Sequence, residues 1–342
     1  MKNKLCLFIL FVLMILPVMS QQFIKDVSKV GTTAAPFLSI EVGARAIGMG
    51  GGFVALANDA TALYWNPAGL AKMQHGEVTL NHTQWLADVQ FDYAGVALPM
   101  GSAGTIGLSF TSLSMGDMLV RTVAYPEGTG EKFSASDFAI GTSYAKSLTD
   151  RFSIGFTAKY ISQKIWHMQA SSMALDIGTL FRTQFKEMTL GMSISNFGNK
   201  MQLLGSDTQV PVDIAPEKEG NNSKIVGNMK TDKWSLPLIF RFGVAMTVVR
   251  NYNFRWTVAM DAMHPNDNTE YINLGTEYAL KEMVFLRAGY KNLFMRDSEE
   301  GLTLGGGLAY KLVGNIRLKV DYAFADFGIL DDVQRFSLAL EF

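Results

Sequence analysis

A single cysteine, Cys6, in 342 residues leaves no partner for an internal disulfide and too few thiols for a cysteine metal site. Charge is also scarce: 18% of residues are Asp, Glu, Lys or Arg, against roughly 25% in a soluble globular chain. Thirty basic residues against 31 acidic ones give a net charge of -1, which removes the electrostatic case for a nucleic-acid partner. Beyond residue 16 no long uninterrupted apolar run occurs, so no transmembrane helix is expected. No G-x-S-x-G elbow exists; Gly191-Met-Ser193-Ile-Ser195 lacks the final glycine. His75, His82, His167 and His264 fall in no H-E-x-x-H or paired-ligand spacing, and His82 and His167 are expected at a sheet rim. The expectation is therefore no enzyme, no cofactor and no metal. What is abundant is Gly (32), Phe (23) and Tyr (11).

The first twenty residues carry Lys2 and Lys4, an apolar run from Leu5 to Leu16, then Pro17 and a small Ser20 before Gln21. That order reads as a secretory signal cleaved after residue 20, which removes Cys6 and sends the chain out of the cytoplasm. An exported chain this apolar still belongs in a membrane if its strands close into a barrel.

The test is alternation with a period of two. In 333–342 Phe336, Leu338, Leu340 and Phe342 alternate with Arg335, Ser337, Ala339 and Glu341. In 315–325 Ile316, Leu318, Val320, Tyr322 and Phe324 alternate with Arg317, Lys319, Asp321 and Ala323. Segments 152–160 and 252–262 repeat the pattern. In a strand each set occupies one face. Fourteen such segments are expected, near 76–84, 89–99, 103–113, 137–147, 151–164, 169–183, 187–198, 236–248, 252–263, 269–281, 284–293, 302–312, 315–325 and 333–342. Every second connection is short, whereas 114–136 and 199–235 are long. An even strand count with turn lengths sorted by parity is the pattern of an all-β, antiparallel outer-membrane barrel. On that reading Lys159, Arg255, Asp261, Glu277, Arg287, Arg317, Lys319, Asp321 and Arg335 point into the lumen, and the aromatic faces meet outer-membrane lipid. Arginine at Leu318 should then be costly and arginine at Ala323 milder.

Residues 43–71 do not alternate. Gly48, Gly50, Gly51 and Gly52 allow close backbone approach, Asn58 or Asp59 is placed to cap a short helix through Tyr64, and Asn66-Pro67 fits an N-cap followed by proline, with Gly69 ending the turn. The G-x-G-x-x-G spacing is not met and no βαβ context surrounds it, so a dinucleotide site is not expected. A compact segment of small residues before a barrel reads as a hatch folded into the lumen, giving a leader at 1–20, an arm and hatch at 21–74, and a barrel at 75–342. Arg45 and Asp59 are its opposite charges, expected to pair with each other or Arg45 with Asp321, and the Asn66 turn is expected to fix the hatch where it meets the first strand.

The run Gly43-Ala44-Arg45-Ala46-x-Gly48-Met49-Gly50, followed by Asn58-Asp59-Ala60-Thr61-Ala62-x-Tyr64-Trp65-Asn66-Pro67-Ala68-Gly69-Leu70, resembles the N-terminal signature of the PorV/PorQ family, within the FadL-like outer-membrane barrels. The resemblance implies a plugged barrel of about fourteen strands in the outer membrane of a Bacteroidota-like bacterium. It implies a role as an adaptor in type IX secretion, with the translocon or exported cargo proteins as partners. The FadL side of the resemblance implies the alternative, transport of long-chain fatty acids or other hydrophobic small molecules. The final Phe342 resembles the signal read by the barrel assembly machinery.

Overall fold

A computed structural model describes residues 29–186, 188–218, 224–295, 298–330 and 332–342. The expected leader at 1–20 lies outside the described residues. Fourteen strands form the wall: β1 (Glu77–Gln84), β2 (Gln90–Pro99), β3 (Thr105–Ser114), β4 (Ala135–Ser147), β5 (Phe152–Ile165), β6 (Met168–Arg182), β7 (Thr189–Gly198), β8 (Ile239–Arg250), β9 (Phe254–Pro265), β10 (Tyr271–Leu280), β11 (Val284–Leu293), β12 (Leu302–Lys311), β13 (Arg317–Ala325) and β14 (Val333–Glu341). Each pairs antiparallel with its sequence neighbour, and β14 returns to β1 with Glu341 opposite Glu77 and Arg335 opposite Thr83. Closure removes the open edges that a bilayer would leave without hydrogen-bond partners. The fourteen expected segments correspond to these strands one to one, with ends displaced by a few residues.

The alternation decides which face meets lipid. Leu80, Val320, Phe336 and Leu338 stand exposed on the outside, while Thr79, Asn81, Arg335 and Ser337 between them are buried. Among the described residues no helix is long and apolar enough to cross a membrane; the strands do it. Short turns gather at one rim, the periplasmic one by the usual asymmetry of such barrels. The tightest is Lys281-Glu282-Met283, where Lys281 and Glu282 take positive φ (49° and 52°) and Met283 N–H donates to the Leu280 carbonyl, a turn whose twist matches that of its strands. At the opposite rim the 199–238 connection folds on itself, pairing Gln209–Val212 with Ile225–Asn228 and Met201–Gln202 with Lys233–Trp234. The shortest connection there joins β5 and β6, which run on until only Trp166 and His167 separate them. Phe342 locks the closing seam through two backbone hydrogen bonds with Gly76, of 2.8 and 3.0 Å.

The lumen is filled by the chain's own residues 36–72. A 3₁₀ turn at Pro36–Ser39, helix α1 (Ala44–Gly48), helix α2 (Ala62–Trp65) and a 3₁₀ turn at Pro67–Lys72 succeed one another inside the ring. Their side chains form the core: Phe37, Ile47, Met49, Phe53, Leu63, Trp65 and Leu70 are essentially inaccessible. The plug enters from the outer mouth, where Thr33 bridges to Ser235 and Ala34 N–H donates to the Ser235 carbonyl. It leaves at the periplasmic rim, where β1 begins. This packing corrects one expectation. Ala323 faces the lumen but is fully buried, on the strand that packs against α1, so an arginine there has to displace plug residues.

Candidate functional site: the charged interface between plug and wall

The local folds of the plug follow from single residues. Gly50 has φ 64° and lies against the Leu274 carbonyl and the Tyr290 amide, so only glycine allows that approach. Asn66 caps the second 3₁₀ turn as expected: its side chain accepts from Ala68 N–H at 3.2 Å, with Pro67 in the first position. Its amide also donates to the carbonyls of Val54 (3.0 Å) and Thr179 (3.1 Å). Three other expectations need correction. The Asn66-Pro67-Ala68 corner meets β5 and β6, not the first strand, because Gly155 and Gly178 lack the side chains that would block it. The residue before α2 is Thr61, and Asp59 caps no helix; its Oδ1 accepts from Thr61 N–H at 3.0 Å and from the Thr61 hydroxyl. Gly69 does not end the turn, which continues to Lys72, but presses on the Ala57 carbonyl.

The plug's charges meet the wall's. Arg45 Nη1 lies 2.8 Å from Asp59 Oδ2, and Arg45 Nε lies 3.1 Å from Glu277 Oε2. The pairing with Asp59 is as expected. The wall partner is Glu277 instead of Asp321, which belongs to Arg287 at 2.5 Å. Glu277, with its side chain 1% exposed, also accepts from Arg287 Nε (2.8 Å) and Arg255 Nη2 (3.1 Å), so one carboxylate serves three guanidiniums. A buried carboxylate is tolerated only when its lone pairs are filled in this way. Arg255 reaches on to Glu282 at 2.7 Å, and that hydrogen bond, opposed by partial burial, holds the Glu282 carboxyl below its ordinary range. Lys319 bridges Glu77 (2.6 Å) and Glu341 (2.7 Å), and Glu77 accepts from the Ala60 amide at 2.8 Å. These groups, with Arg317 at the rim, surround a cavity of about 250 Å³ at the periplasmic mouth.

Deeper in the lumen, wall side chains bond to plug backbone, wall strands pair with each other and the plug bonds to itself. Asp261 Oδ2 accepts from the amides of Phe53 and Val54 at 2.7 and 2.8 Å. Arg335 donates to the Glu41 carbonyl, Lys159 pairs with Asp176, and Trp65 Nε1 donates to the Val42 carbonyl. Tyr64 is buried under the arm and donates to the Leu38 carbonyl. Thus all nine lumen charges expected from alternation lie on the inner face. Gly43 and Gly48 flank α1, with Gly48 against Gly305 of β12. Asn58 accepts from Arg45 at 2.8 Å.

Several inner-face charges were missed by the sequence reading: Glu77, Asp176, Arg241 and Lys291. The same parity rule reaches Arg241, which sits between Phe240 and Phe242 on the opposite face. The histidines are peripheral: His82 pairs with Asp92 on the outer wall, His167 with Asp207 and His264 with Glu270, all exposed. Among the described residues no group of three His, Cys, Asp or Glu is placed to hold a metal ion.

A family description, "Type IX secretion system protein PorV", matches residues 23–214, which contain the whole plug and β1 to β7. The chain belongs to the PorV family. No curated protein matches it. Among solved structures, the PorV-family barrel is similar to the Pseudomonas putida toluene transporter TodX, with a TM-score of 0.54 and 10% identity over 88% of this chain and 97% of that one. It is also similar to a Pseudomonas aeruginosa FadL homologue, with a TM-score of 0.51 and 12% identity over 85% of this chain and 95% of that one. At such identities the likeness is one of fold: this PorV-family chain is a FadL-like outer-membrane β-barrel.

Proposed function

We propose that the chain is a protein-handling adaptor of type IX secretion in a Bacteroidota-type outer membrane, receiving exported proteins at its outer mouth and catalysing nothing itself. The observation that carries this reading is how the lumen is filled. A route for hydrophobic small molecules needs a continuous apolar space, yet the pocket lined by Phe37, Leu38, Leu63, Tyr64 and Tyr93 holds only about 20 Å³. That is room for no more than a water molecule. The periplasmic cavity is walled by ion pairs, which suits no greasy cargo. The outer loops, in contrast, present Tyr125, Ile214, Val226, Met229 and Trp234 exposed, together with Asp207 and Lys230, as a protein-binding surface does.

The test removes the hairpin Gln209–Val212/Ile225–Asn228, replacing 209–228 by a short Gly-Ser link in the source bacterium. Exported type IX cargo should accumulate in the periplasm while the barrel remains in the outer membrane. Cargo reaching the surface at the parental rate, combined with lost uptake of a fatty acid, would replace this reading by the transport one.

A further inference from the structure

We propose that Lys72, Lys146, Arg151, Arg182 and Lys186 form a site for the headgroup of an anionic phospholipid of the periplasmic leaflet, and that this lipid holds the exit of the plug against the wall. The site lies on one side of the periplasmic rim, where the β4–β5 and β6–β7 turns stand next to each other. Arg182 N–H donates to the Arg151 carbonyl at 2.8 Å, and Phe152 pairs with Phe181 on the outer face. The last turn of the plug reaches the same place: the Ser147 hydroxyl donates to the Ala71 carbonyl at 3.4 Å, one residue before Lys72.

Charge of one sign gathers there. Residues 146–151 and 182–187, with Lys72, hold five cations against Asp150 and Glu187. Among the described residues none of the five forms an ion pair, whereas Arg255 and Lys319 in the same mouth each have a carboxylate within 2.7 Å. Gln184 offers its side-chain oxygen to both Nη atoms of Arg151, a neutral partner that leaves the charge in place. Burial, and then the nearby Arg182, push the Lys72 ammonium below its ordinary range, so the plug ends on a charge that its surroundings disfavour. Like charges on neighbouring turns repel until an anion enters between them. A phosphate suits such a group, since arginine presents paired donors to its oxygens and lysine a point charge.

The adjoining surface selects a lipid over a free anion. Phe156 and Phe181 are exposed on the outer wall, and Leu148 and Phe185 are exposed in the two turns. Lys146 stands on the same outer face, opposite Ile154, and Lys186 Nζ lies 5.9 Å from the centre of the Phe185 ring. An acyl chain lying along Phe156, Phe181 and Phe152 brings its phosphate to the level of these cations. Clusters of Lys and Arg at the edge of a membrane-spanning segment bind anionic lipid in this way, with their apolar stems against the chains. An acidic soluble protein would meet the cations but not the apolar wall. The opposite rim has the other sign: connections 266–270, 294–301 and 326–332 hold eight carboxylates against Arg296.

The experiment places the purified full-length barrel in nanodiscs of phosphatidylethanolamine, with and without phosphatidylglycerol of the same acyl chains. Native mass spectrometry from an equal mixture should show phosphatidylglycerol retained over phosphatidylethanolamine by roughly tenfold, the scale of a few rim cations meeting an anionic headgroup. Hydrogen exchange over 66–72 should slow when phosphatidylglycerol is present. Arg151→Gln combined with Arg182→Gln should remove both the preference and the lipid dependence of exchange, and Lys146→Gln, on the outer face away from the plug, should weaken the preference alone. Arg250→Gln, on the next turn round the rim, should keep both. Each variant is checked as a folded barrel by heat-modifiable electrophoretic mobility. Equal retention of the two lipids by the parent, or parental preference in both the double variant and Lys146→Gln, would overturn the site. Retention without slower exchange at 66–72 would overturn the link to the plug. Inorganic phosphate giving the same protection in phosphatidylethanolamine alone, or capture of polyglutamate in place of phosphatidylglycerol, would overturn the lipid assignment.

Discussion

Arg45 of the plug and Glu277 of the wall stand 3.1 Å apart although 232 residues separate them in the chain. That contact joins the two halves of the molecule, because Glu277 also holds Arg255 and Arg287 of neighbouring strands. Replacing Glu277 by Gln leaves three guanidiniums around a neutral acceptor. Removing one partner of a buried pair typically costs ~3–5 kcal/mol. The barrel should still insert, since no strand hydrogen bond is lost, while the plug loosens. Planar-bilayer recordings should show added conductance, and protease should cut within 43–71. Arg45→Ala should act in the same direction and more weakly, because Arg45 is partly solvated. Parental conductance and protection in both variants would mean that apolar packing alone holds the plug.

Asn66 carries the second attachment. It is fully buried, and its side chain satisfies Ala68 N–H and the carbonyls of Val54 and Thr179. Asn66→Ala removes the side-chain partner of Ala68 N–H and of the Val54 carbonyl and the extra donor to Thr179, a loss of about 1–3 kcal/mol for each buried group left unsatisfied. Because Thr179 belongs to β6, the loosening should appear at the β5–β6 side of the lumen. Hydrogen exchange resolved by segment should rise at 66–72 and near Thr179, and stay at the parental level around the β1–β14 seam.

The strands were legible because a period of two needs only neighbours in the chain: Phe336, Leu338 and Leu340 declare a face without any distant partner. Lumen charges followed from the same parity, and so did the plug from its glycines and lack of alternation. What the residues alone do not fix is height. Asp321 and Glu277 both lie on the inner face, and the stagger of strands around the ring decides which of them meets Arg45. Gly155 and Gly178 look like weak points in their strands until Pro67 and Ala68 are seen against them. The outer-mouth contact of Thr33 with Ser235 spans 200 residues and leaves no local signal.

Acid should weaken one contact at the periplasmic rim late in the titration. The carboxyl of Glu282 is held below its ordinary range by the Arg255 hydrogen bond, so its contribution is fully present above the ordinary glutamate range, near pH 4.5, and is lost as pH falls through the lowered folded value. Glu282 is more than half exposed, which keeps the effect small. The observable is the difference in melting temperature between parent and Glu282→Gln, read by heat-modifiable mobility. A small positive difference at pH 7 should shrink to zero in strong acid. A difference that is independent of pH would assign the effect to the strained turn at Lys281-Glu282 and not to the charge.

Two arginine substitutions on neighbouring strands separate the lipid face from the plugged lumen. Leu338 is exposed on the outer wall between Leu80 and Val320, in the middle of its strand's apolar band. Leu338→Arg should lower barrel stability by ~2–4 kcal/mol if its side chain sits at the bilayer midplane, and less nearer an interface. Its loss should therefore grow in thicker bilayers, measured by folding into vesicles of increasing acyl-chain length. Ala323 faces inward but is buried against α1, so Ala323→Arg must push the plug aside and bury a charge without a partner. Its damage should not depend on acyl-chain length, and it should appear as conductance through an inserted barrel. Equal dependence on bilayer thickness in both variants would show that the inner and outer faces have been assigned the wrong way round.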